Sequence, residues 1–371
     1  SSSATDGYYS INDTLALAVT FSEAVTVTGT PQLTLETGST DAVANYTSGS
    51  ASSALVFRYI VASEDNSNDL DYVSDSALTF NSGTILDVAG SSAELTLAVP
   101  GAANSISASK SLVIDNIAPI FSNVTEGSAI STSENDVDYQ NFADTLVISW
   151  SGSDGGSGIS TYEYALGTNT GATDAITWTS AGTATADTLT GLSLLTEGAT
   201  YYLSVRATDV AGNMSDPDTS DGITIDLTAP AGTTVSDGAE DDITYSGSDT
   251  TLSANWAAFT ETVSGVQKYE YAIGTTSGGT ELVTWTDNDT ATSVTKSGLT
   301  LSNGTAYYIS VRATDNAGNV ATVVTSDGAT IDTAAPSAGS VTDSTSTDMD
   351  WTGSTSSLTS TWTGFSDALS G

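Results

Sequence analysis

The stretch YYLSVRATDVAGN at residues 201–213 returns almost unchanged as YYISVRATDNAGN at residues 307–319. In both copies apolar and polar residues alternate, and a polar run containing glycine follows. Alternation with a period of two is typical of a half-buried β-strand, and Asp, Gly and Asn favour a tight turn. The stretch therefore predicts a strand and a turn in a module that repeats after 106 residues, the difference between 307 and 201.

Working outward, other segments repeat with nearly the same spacing. YEYALG at 162–167 returns as YEYAIG at 269–274, and three related linkers read IDNIAP, IDLTAP and IDTAAP, ending at Pro119, Pro230 and Pro336. Pro lacks a backbone N–H and therefore ends a strand ladder at each linker. The linkers predict segments 1–116, 117–227 and 228–333, followed by a partial fourth segment, 334–371, that contains only its first two strands. We expect both ends of the chain to belong to a longer array.

Every segment consists mainly of strand patterns, and none shows a convincing apolar periodicity of an amphipathic helix. About seven short strands in a full segment describe an immunoglobulin-like sandwich. The expected fold class is all-β, with tandem antiparallel β-sandwiches in an elongated array.

The composition excludes several classes of function. The chain has 6 Lys and Arg against 45 Asp and Glu, a formal net charge of −39, and neither Cys nor His. Nucleic-acid binding relies on Lys and Arg, and an anionic bilayer would repel such a surface. Disulfides, Cys/His zinc sites and nucleophiles activated by His are also excluded. No apolar run approaches the length of a membrane span, and residues 1–10 lack the features of a signal peptide. We expect any export signal or anchor to lie outside this sequence.

The second and third segments resemble fibronectin type III modules. The resemblance rests on Trp150 and Trp256 in the second predicted strand, on the YEY strands, on the two stretches quoted first, and on the LTEG and LSNG turns that precede them. The first segment departs from this pattern and resembles a bacterial immunoglobulin- or cadherin-like repeat. The array as a whole is similar to the stalks of large bacterial surface adhesins, and this resemblance implies a scaffold without specifying a ligand.

Acidic side chains occur at three places that a sandwich brings to one pole: the incoming linker, the B–C loop and the F–G loop. Clustered carboxylates with few Lys or Arg nearby favour a hard cation, and Ca²⁺ binds about six to eight oxygens. The sequence therefore predicts structural Ca²⁺ at each junction, whereas the alternative is a plain turn in which Asp and Asn bond local backbone. The predicted ligands are Asp115, Asp154, Asp209 and Asn213, then Asp226, Glu261, Asp315 and Asn319, and finally Asp332 and Asp367.

Another acidic group, SEDNSNDLDY, contains Glu64, Asp65, Asp69 and Asp71 and has two interpretations, a further calcium loop or a solvated acidic loop. It lacks the order of acidic residues that an EF-hand requires.

Two charged pairs recur outside the predicted poles. Glu163 and Glu270 lie between tyrosines that alternation turns inward, so both face outward, and Arg206 and Arg312 face outward on the neighbouring strand. We expect the pairs Glu163–Arg206 and Glu270–Arg312 across the strands. Their repetition favours a structural role over catalysis.

Trp178 and Trp285 recur as well. They either cover the sandwich edge or offer a surface on which a sugar stacks.

These observations predict a non-enzymatic, extracellular structural stalk of a bacterial adhesin at the cell surface or in secreted form, made rigid by Ca²⁺ at its junctions. One alternative is an accessory region of a secreted polysaccharide-degrading enzyme, and another is a subunit of an extracellular filament or surface layer. The expected partners are neighbouring repeats and a surface or carbohydrate ligand bound by regions outside this chain, with neither nucleic acid nor membrane insertion. Self-assembly into a filament belongs to the last alternative.

Overall fold

Strands make up the regular structure of this chain. The computed structural model describes residues 3–127, 136–192, 195–343, 351, 353, 354 and 356–371. Within these residues there are 29 strands and no helix, which confirms the all-β expectation. Accordingly, the described part of the chain contains no helix with the length and apolar character needed to cross a bilayer.

Nine strands belong to the first predicted segment. Their main sheet has the order β6-β3-β4-β5-β2-β8, with β7 also paired to β3, and β1 and β9 form a separate pair. Alternate residues of the long strands, such as Leu15, Leu17, Phe57 and Tyr59, are fully buried and form the core. The strands are β1 (Gly7–Tyr9), β2 (Thr14–Thr28), β3 (Gln32–Glu36), β4 (Ala42–Ser48), β5 (Ser52–Ile60), β6 (Asp71–Tyr72), β7 (Leu78–Thr79), β8 (Thr84–Leu86) and β9 (Leu112–Ile114).

The next nine strands carry the second predicted segment. One sheet has the order β10-β12-β15, and another contains β14, β13 and β16, with β17 also paired to β16. Trp150 of β12 lies between these sheets, with its ring centroid 5.9 Å from the rings of both Tyr162 and Tyr164. The strands are β10 (Ile120–Gly127), β11 (Tyr139–Gln140), β12 (Thr145–Ser153), β13 (Ile159–Gly167), β14 (Ile176–Gly182), β15 (Ala186–Thr190), β16 (Thr200–Asp209), β17 (Asp218–Thr219) and β18 (Ile223–Ile225).

The third predicted segment repeats this arrangement. Its sheets have the orders β19-β21-β24 and β20-β27-β25-β22-β23, with β26 also paired to β25. Trp256 lies 5.7 Å from the ring of Tyr269, and the Tyr307 hydroxyl accepts the N–H of Ser302 at 3.1 Å, as expected of a tyrosine corner. The strands are β19 (Val235–Asp237), β20 (Tyr245–Ser246), β21 (Thr251–Trp256), β22 (Val266–Gly274), β23 (Val283–Asp287), β24 (Ser293–Ser297), β25 (Ala306–Asp315), β26 (Val324–Thr325) and β27 (Ala329–Ile331).

The sheets are mainly antiparallel, as expected, and three short strand pairs are exceptions. The pairs β1–β9, β11–β18 and β20–β27 are parallel. In each pair, a strand near the beginning of the segment runs in the same direction as the last strand of that segment.

The last described strands, β28 (Ser340–Thr342) and β29 (Thr361–Thr363), form one antiparallel pair. The Trp362 side chain is 69% exposed, whereas Trp150 and Trp256 are only 3% and 5% exposed. The described part of the predicted partial segment therefore shows no packed core around its tryptophan, while residues 344–350, 352 and 355 lie outside the described residues.

The chain groups into two compact units. The first consists of Ser1–Asp138, Asp144–Leu194 and Ala199–Ile223, and the second of Tyr139–Ala143, Leu195–Gly198 and Thr224–Gly371. The finer division into four sandwiches, after residues 116, 227 and 333, stays a prediction.

Candidate metal centres

Asp115 is the centre of the first acidic cluster. It directly follows β9 and is 1% exposed. Its Oδ2 accepts the N–H of Ser157 at 2.6 Å, and its Oδ1 accepts the N–H of Ile117 at 3.1 Å. The end of one strand is thus tied to the loop that follows β12. The approach is close because residue 156 is glycine: a Cβ there would lie 2.3–2.5 Å from the Asp115 carboxylate.

Asp154 and Asp209 complete this cluster. Asp154 Oδ2 accepts the N–H groups of Gly156 and Gly158. Its Oδ1 is buried and has no hydrogen-bond partner in the part of the chain that the structure describes. Asp209, at the end of β16, is 2% exposed. One carboxylate oxygen from each of the three residues lies within 4.8 Å of the others. The structure therefore brings together the three acids that strand order predicted, and cation binding by them stays a prediction.

Asn213 supports this cluster through its backbone and its amide. Its N–H bonds Asp209 Oδ1 at 2.7 Å, and its Nδ2 donates to Asp209 Oδ2 at 2.7 Å and to the backbone oxygen of Asp115 at 2.9 Å. The turn expected from Asp-x-Ala-Gly-Asn is therefore present. The turn does not decide between a calcium site and a plain turn, because the three acids cluster beside it.

The same arrangement recurs in the second compact unit with Asp226, Glu261 and Asp315, again within 4.8 Å. Asp226 and Asp315 are both 0% exposed. The amide of Asn319 donates to Asp315 Oδ2 at 2.9 Å and to the backbone oxygen of Asp226 at 2.8 Å. Burial raises the pKa of Asp315, and the charges of Asp226 and Glu261 raise that pKa further. The neighbouring carboxylates therefore oppose the ionisation of Asp315.

Asp332 and Asp367 also lie close together, within hydrogen-bonding reach of each other. Asp367 Oδ1 accepts the N–H of Leu369 at 2.9 Å, and this bond is the largest cause of its lowered pKa. Among the described residues no third acid joins them. Cation binding by this pair stays a prediction.

The SEDNSNDLDY acids do not form such a cluster among the described residues. Asp65 and Asp71 are only 5% and 7% exposed. Asp65 Oδ2 accepts the Tyr59 hydroxyl at 2.7 Å, and Asp71 Oδ2 accepts the Ser107 hydroxyl at 2.7 Å and the N–H of Gly101 at 3.0 Å. Their burial contradicts the solvated interpretation for these two residues, and calcium binding by this loop stays a prediction.

Sequence reasoning missed two further clusters, both outside the predicted poles. They are Glu126, Asp136 and Asp221, and then Asp237, Asp242 and Asp327. Asp136 and Asp242, and likewise Asp221 and Asp327, are 106 residues apart, but Glu126 and Asp237 are 111 apart. Glu126 precedes Asp136 by 10 residues, whereas Asp237 precedes Asp242 by 5, and this difference hides the equivalence of Glu126 and Asp237. The strand register, with Glu126 opposite Ile148 in β12, reveals it.

The two expected charged pairs are confirmed. Glu163 and Glu270 lie directly opposite Arg206 and Arg312, and both Nε–Oε2 distances are 2.9 Å.

Each guanidinium also covers a tryptophan. It lies 4.3 Å from the ring centroid of Trp178 in one segment and 4.4 Å from that of Trp285 in the other. One face of each indole is therefore occupied by Arg, which favours the structural interpretation of these tryptophans over sugar stacking.

Comparison with known proteins finds local relatives and no matching family model. Exoglucanase B of Cellulomonas fimi is 31% identical over 252 residues, which cover 67% of this chain and 20% of that protein. Chitinase A1 of Niallia circulans is 31% identical over 181 residues, which cover 48% of this chain and 22% of that protein. The matched region thus spans about a fifth of the length of each curated relative.

Two solved structures are also similar. The FN1–FN3 domains of chicken CNTN1 share 15% identity at a TM-score of 0.34, covering 86% of this chain and 95% of that one. A set of titin domains shares 11% identity at a TM-score of 0.37, covering 89% of this chain and 97% of that one.

Proposed function

We propose that this chain is a non-catalytic spacer region of a secreted, extracellular polysaccharide-degrading protein. The observation that carries the proposal is the local similarity to Exoglucanase B and Chitinase A1, which involves about a fifth of each. The two names point to different polysaccharides, so the part shared with both is better explained as a connecting module than as a site for either substrate. The comparisons favour this function over the adhesin stalk.

The placement of the acids supports the same proposal. Glycoside hydrolysis generally requires two carboxylates that flank the scissile bond in an accessible site. Asp115 and Asp209 are nearly fully buried and bonded to backbone groups, and the same pattern recurs at Asp226 and Asp315. Such carboxylates fix the local chain. The partners of the spacer are neighbouring repeats, and carbohydrate is bound by regions outside this sequence.

The test has two parts. The chain is incubated with amorphous cellulose and with colloidal chitin, and reducing ends are measured; we expect no release above a buffer control, and release that scales with protein would overturn the non-catalytic role. The reading frame of the full gene is then determined. We expect a glycoside hydrolase region in the same frame, whereas many further repeats without a hydrolase would decide for an adhesin.

We further propose that Ca²⁺ binds the acidic cluster of Asp115, Asp154 and Asp209. A buried acceptor without a partner is costly, and the orphaned Oδ1 of Asp154 is such an acceptor. A bound cation would satisfy it and neutralise part of the local charge. Ca²⁺ would thereby fix the linker that contains Asp115.

Calorimetric titration with CaCl₂ and small-angle scattering in calcium or chelator test this role. We expect chelator to broaden the distribution of distances within the parent chain. Asp115→Asn should remove both the calcium effect on scattering and one bound ion. Asp41→Asn, an exposed aspartate before β4, is the control and should behave like the parent chain. No calcium binding together with unchanged scattering in chelator would refute the proposal.

A further inference from the structure

Glu126 joins two sheets through one of its carboxylate oxygens. It lies near the end of β10, in the three-stranded sheet, opposite Ile148 of β12. Its Oε1 accepts the backbone N–H of Leu203 in β16 at 3.1 Å and the hydroxyl of Ser220. Since β16 belongs to the other sheet, this carboxylate bridges the sandwich at the edge where β10 ends.

The other oxygen of the same carboxylate, Oε2, is buried and has no hydrogen-bond partner among the described residues. The Glu126 residue is only 1% exposed. Leaving a buried acceptor unsatisfied costs about 1–3 kcal/mol, and more if it is charged. Such an atom in a folded protein requires an explanation, and a bound ion is one of them.

Two more carboxylates lie beside Glu126. One oxygen each of Glu126, Asp136 and Asp221 falls within a mutual distance of 4.8 Å. We assign Glu126 Oε2 to this group, because it is the oxygen that has no hydrogen-bond partner among the described residues. Both Asp136 and Asp221 are exposed, so water can complete a coordination shell on their side.

Electrostatics agree with this geometry. Burial raises the pKa of Glu126 to about 7, and the charges of Asp136 and Asp221 act in the same direction against the hydrogen bonds from Ser220 and Leu203. Burial also raises the pKa of Asp136, and the charge of Asp221 raises it further. Without a cation, the neighbouring carboxylates therefore oppose the ionisation of Glu126 and of Asp136.

The cluster recurs at the equivalent place of the next segment. Asp237 lies opposite Ala254 in β21, and Ala254 is 106 residues after Ile148, the residue that lies opposite Glu126. Asp237 is 2% exposed, its Oδ2 accepts the N–H of Gly328 at 2.8 Å, and it shares a cluster with Asp242 and Asp327. An equivalent group of three acids therefore recurs in both segments, which indicates that the cluster belongs to the design of this sandwich.

We propose that Glu126, Asp136 and Asp221 form a Ca²⁺ site at the edge of the sandwich, separate from the cluster of Asp115. The ion supplies the missing partner of Glu126 Oε2. It ties β10 to the two segments that contain Asp136 and Asp221. Ca²⁺ fits better than Mg²⁺, because Mg²⁺ demands a near-ideal octahedron at short distances, whereas Ca²⁺ accepts mixed carboxylate and water ligands. The two clusters share no residue, so this site goes beyond the proposed spacer function and does not depend on it.

The experiment uses the full 371-residue chain, stripped of metal with EDTA, dialysed and titrated calorimetrically with CaCl₂ near pH 7.5. We expect Glu126→Gln and Asp221→Asn each to lower the number of bound Ca²⁺ ions by one. Asp221 is exposed, so its substitution tests the site even where replacement of the buried Glu126 impairs folding, which circular dichroism monitors. A parallel titration with MgCl₂ should show binding at least about tenfold weaker.

Glu23→Gln is the matched control, since it removes one carboxylate from an exposed position of β2. It should retain the parent stoichiometry. The inference is wrong if Asp221→Asn and a folded Glu126→Gln bind as many ions as the parent, if Glu23→Gln loses an ion as well, or if Mg²⁺ binds as tightly as Ca²⁺. Asp115→Asn should remove a different ion from the one lost in Glu126→Gln. If only one of these two variants binds as many Ca²⁺ ions as the parent chain, the proposal for that variant's site has failed.

Discussion

Replacing Arg206 with methionine should destabilise the second segment by about 1–2 kcal/mol. The Arg206 and Glu163 side chains are each 26% exposed at a separation of 2.9 Å, and a pair of this kind contributes about 0.2–1 kcal/mol. The guanidinium lies 4.3 Å from the Trp178 ring centroid, which adds about 0.5–1 kcal/mol. Methionine retains an unbranched apolar side chain, so the change mainly removes the charge and its two contacts.

The third segment supplies a matched comparison. Arg312 makes the same contacts with Glu270 and Trp285, but Lys268 Nζ also lies 3.7 Å from Glu270. Arg312→Met therefore leaves Glu270 with a cation, whereas among the described residues Glu163 pairs with Arg206 alone. We expect Arg206→Met to cost more than Arg312→Met.

Scanning calorimetry and urea unfolding of the full chain measure both substitutions. In a double-mutant cycle, Glu163→Gln should lose most of its effect once Arg206 is replaced. The reasoning is refuted if Arg206→Met leaves stability unchanged, or if Arg312→Met proves the more damaging of the two.

Three further outcomes follow from the same structure. In EDTA, the fold favours the protonated form of Glu126, whose pKa is raised to about 7 from an ordinary 4.5. This shift should lower the free energy of unfolding by about 3 kcal/mol as the pH rises from 4.5 to 7, which denaturant titrations at several pH values measure. Glu126→Gln should make the slope shallower without removing it, because the pKa of Asp237 is also raised, to about 6. Gly156→Ala should displace the Asp115 carboxylate and weaken calcium binding in calorimetric titrations, while Gly155→Ala, whose Cβ would meet nothing within 4 Å, should not. Tyr307→Phe should cost about 1 kcal/mol in urea unfolding, because a backbone N–H loses its acceptor; an unchanged midpoint would contradict this.

Strand periodicity accounts for what the sequence could predict. Alternation in β13 and β16 turned Tyr162 inward and Glu163 outward, and neighbouring strands then placed Glu163 opposite Arg206. The gathering of Asp115, Asp154 and Asp209 followed from topology in the same way, because it required only that certain loops share a pole.

The remaining features depend on packing between segments distant in the chain. Glu126 gains its importance from Leu203 and Ser220, which lie 77 and 94 residues away. The burial of Asp71 depends likewise on Ser107, which is 36 residues away. No local pattern encodes such contacts, and the unequal spacing of Glu126 and Asp237 hid the buried member of the repeated cluster.

The amide of Asn213 bonds both the Asp209 carboxylate and the Asp115 carbonyl without any help from an ion. The linker end is therefore fixed without a cation, so the proposed Ca²⁺ ion would meet a preorganised site and its binding would cost little chain entropy. After removal of that ion, the amide of Asn213 would still hold the linker end to the turn.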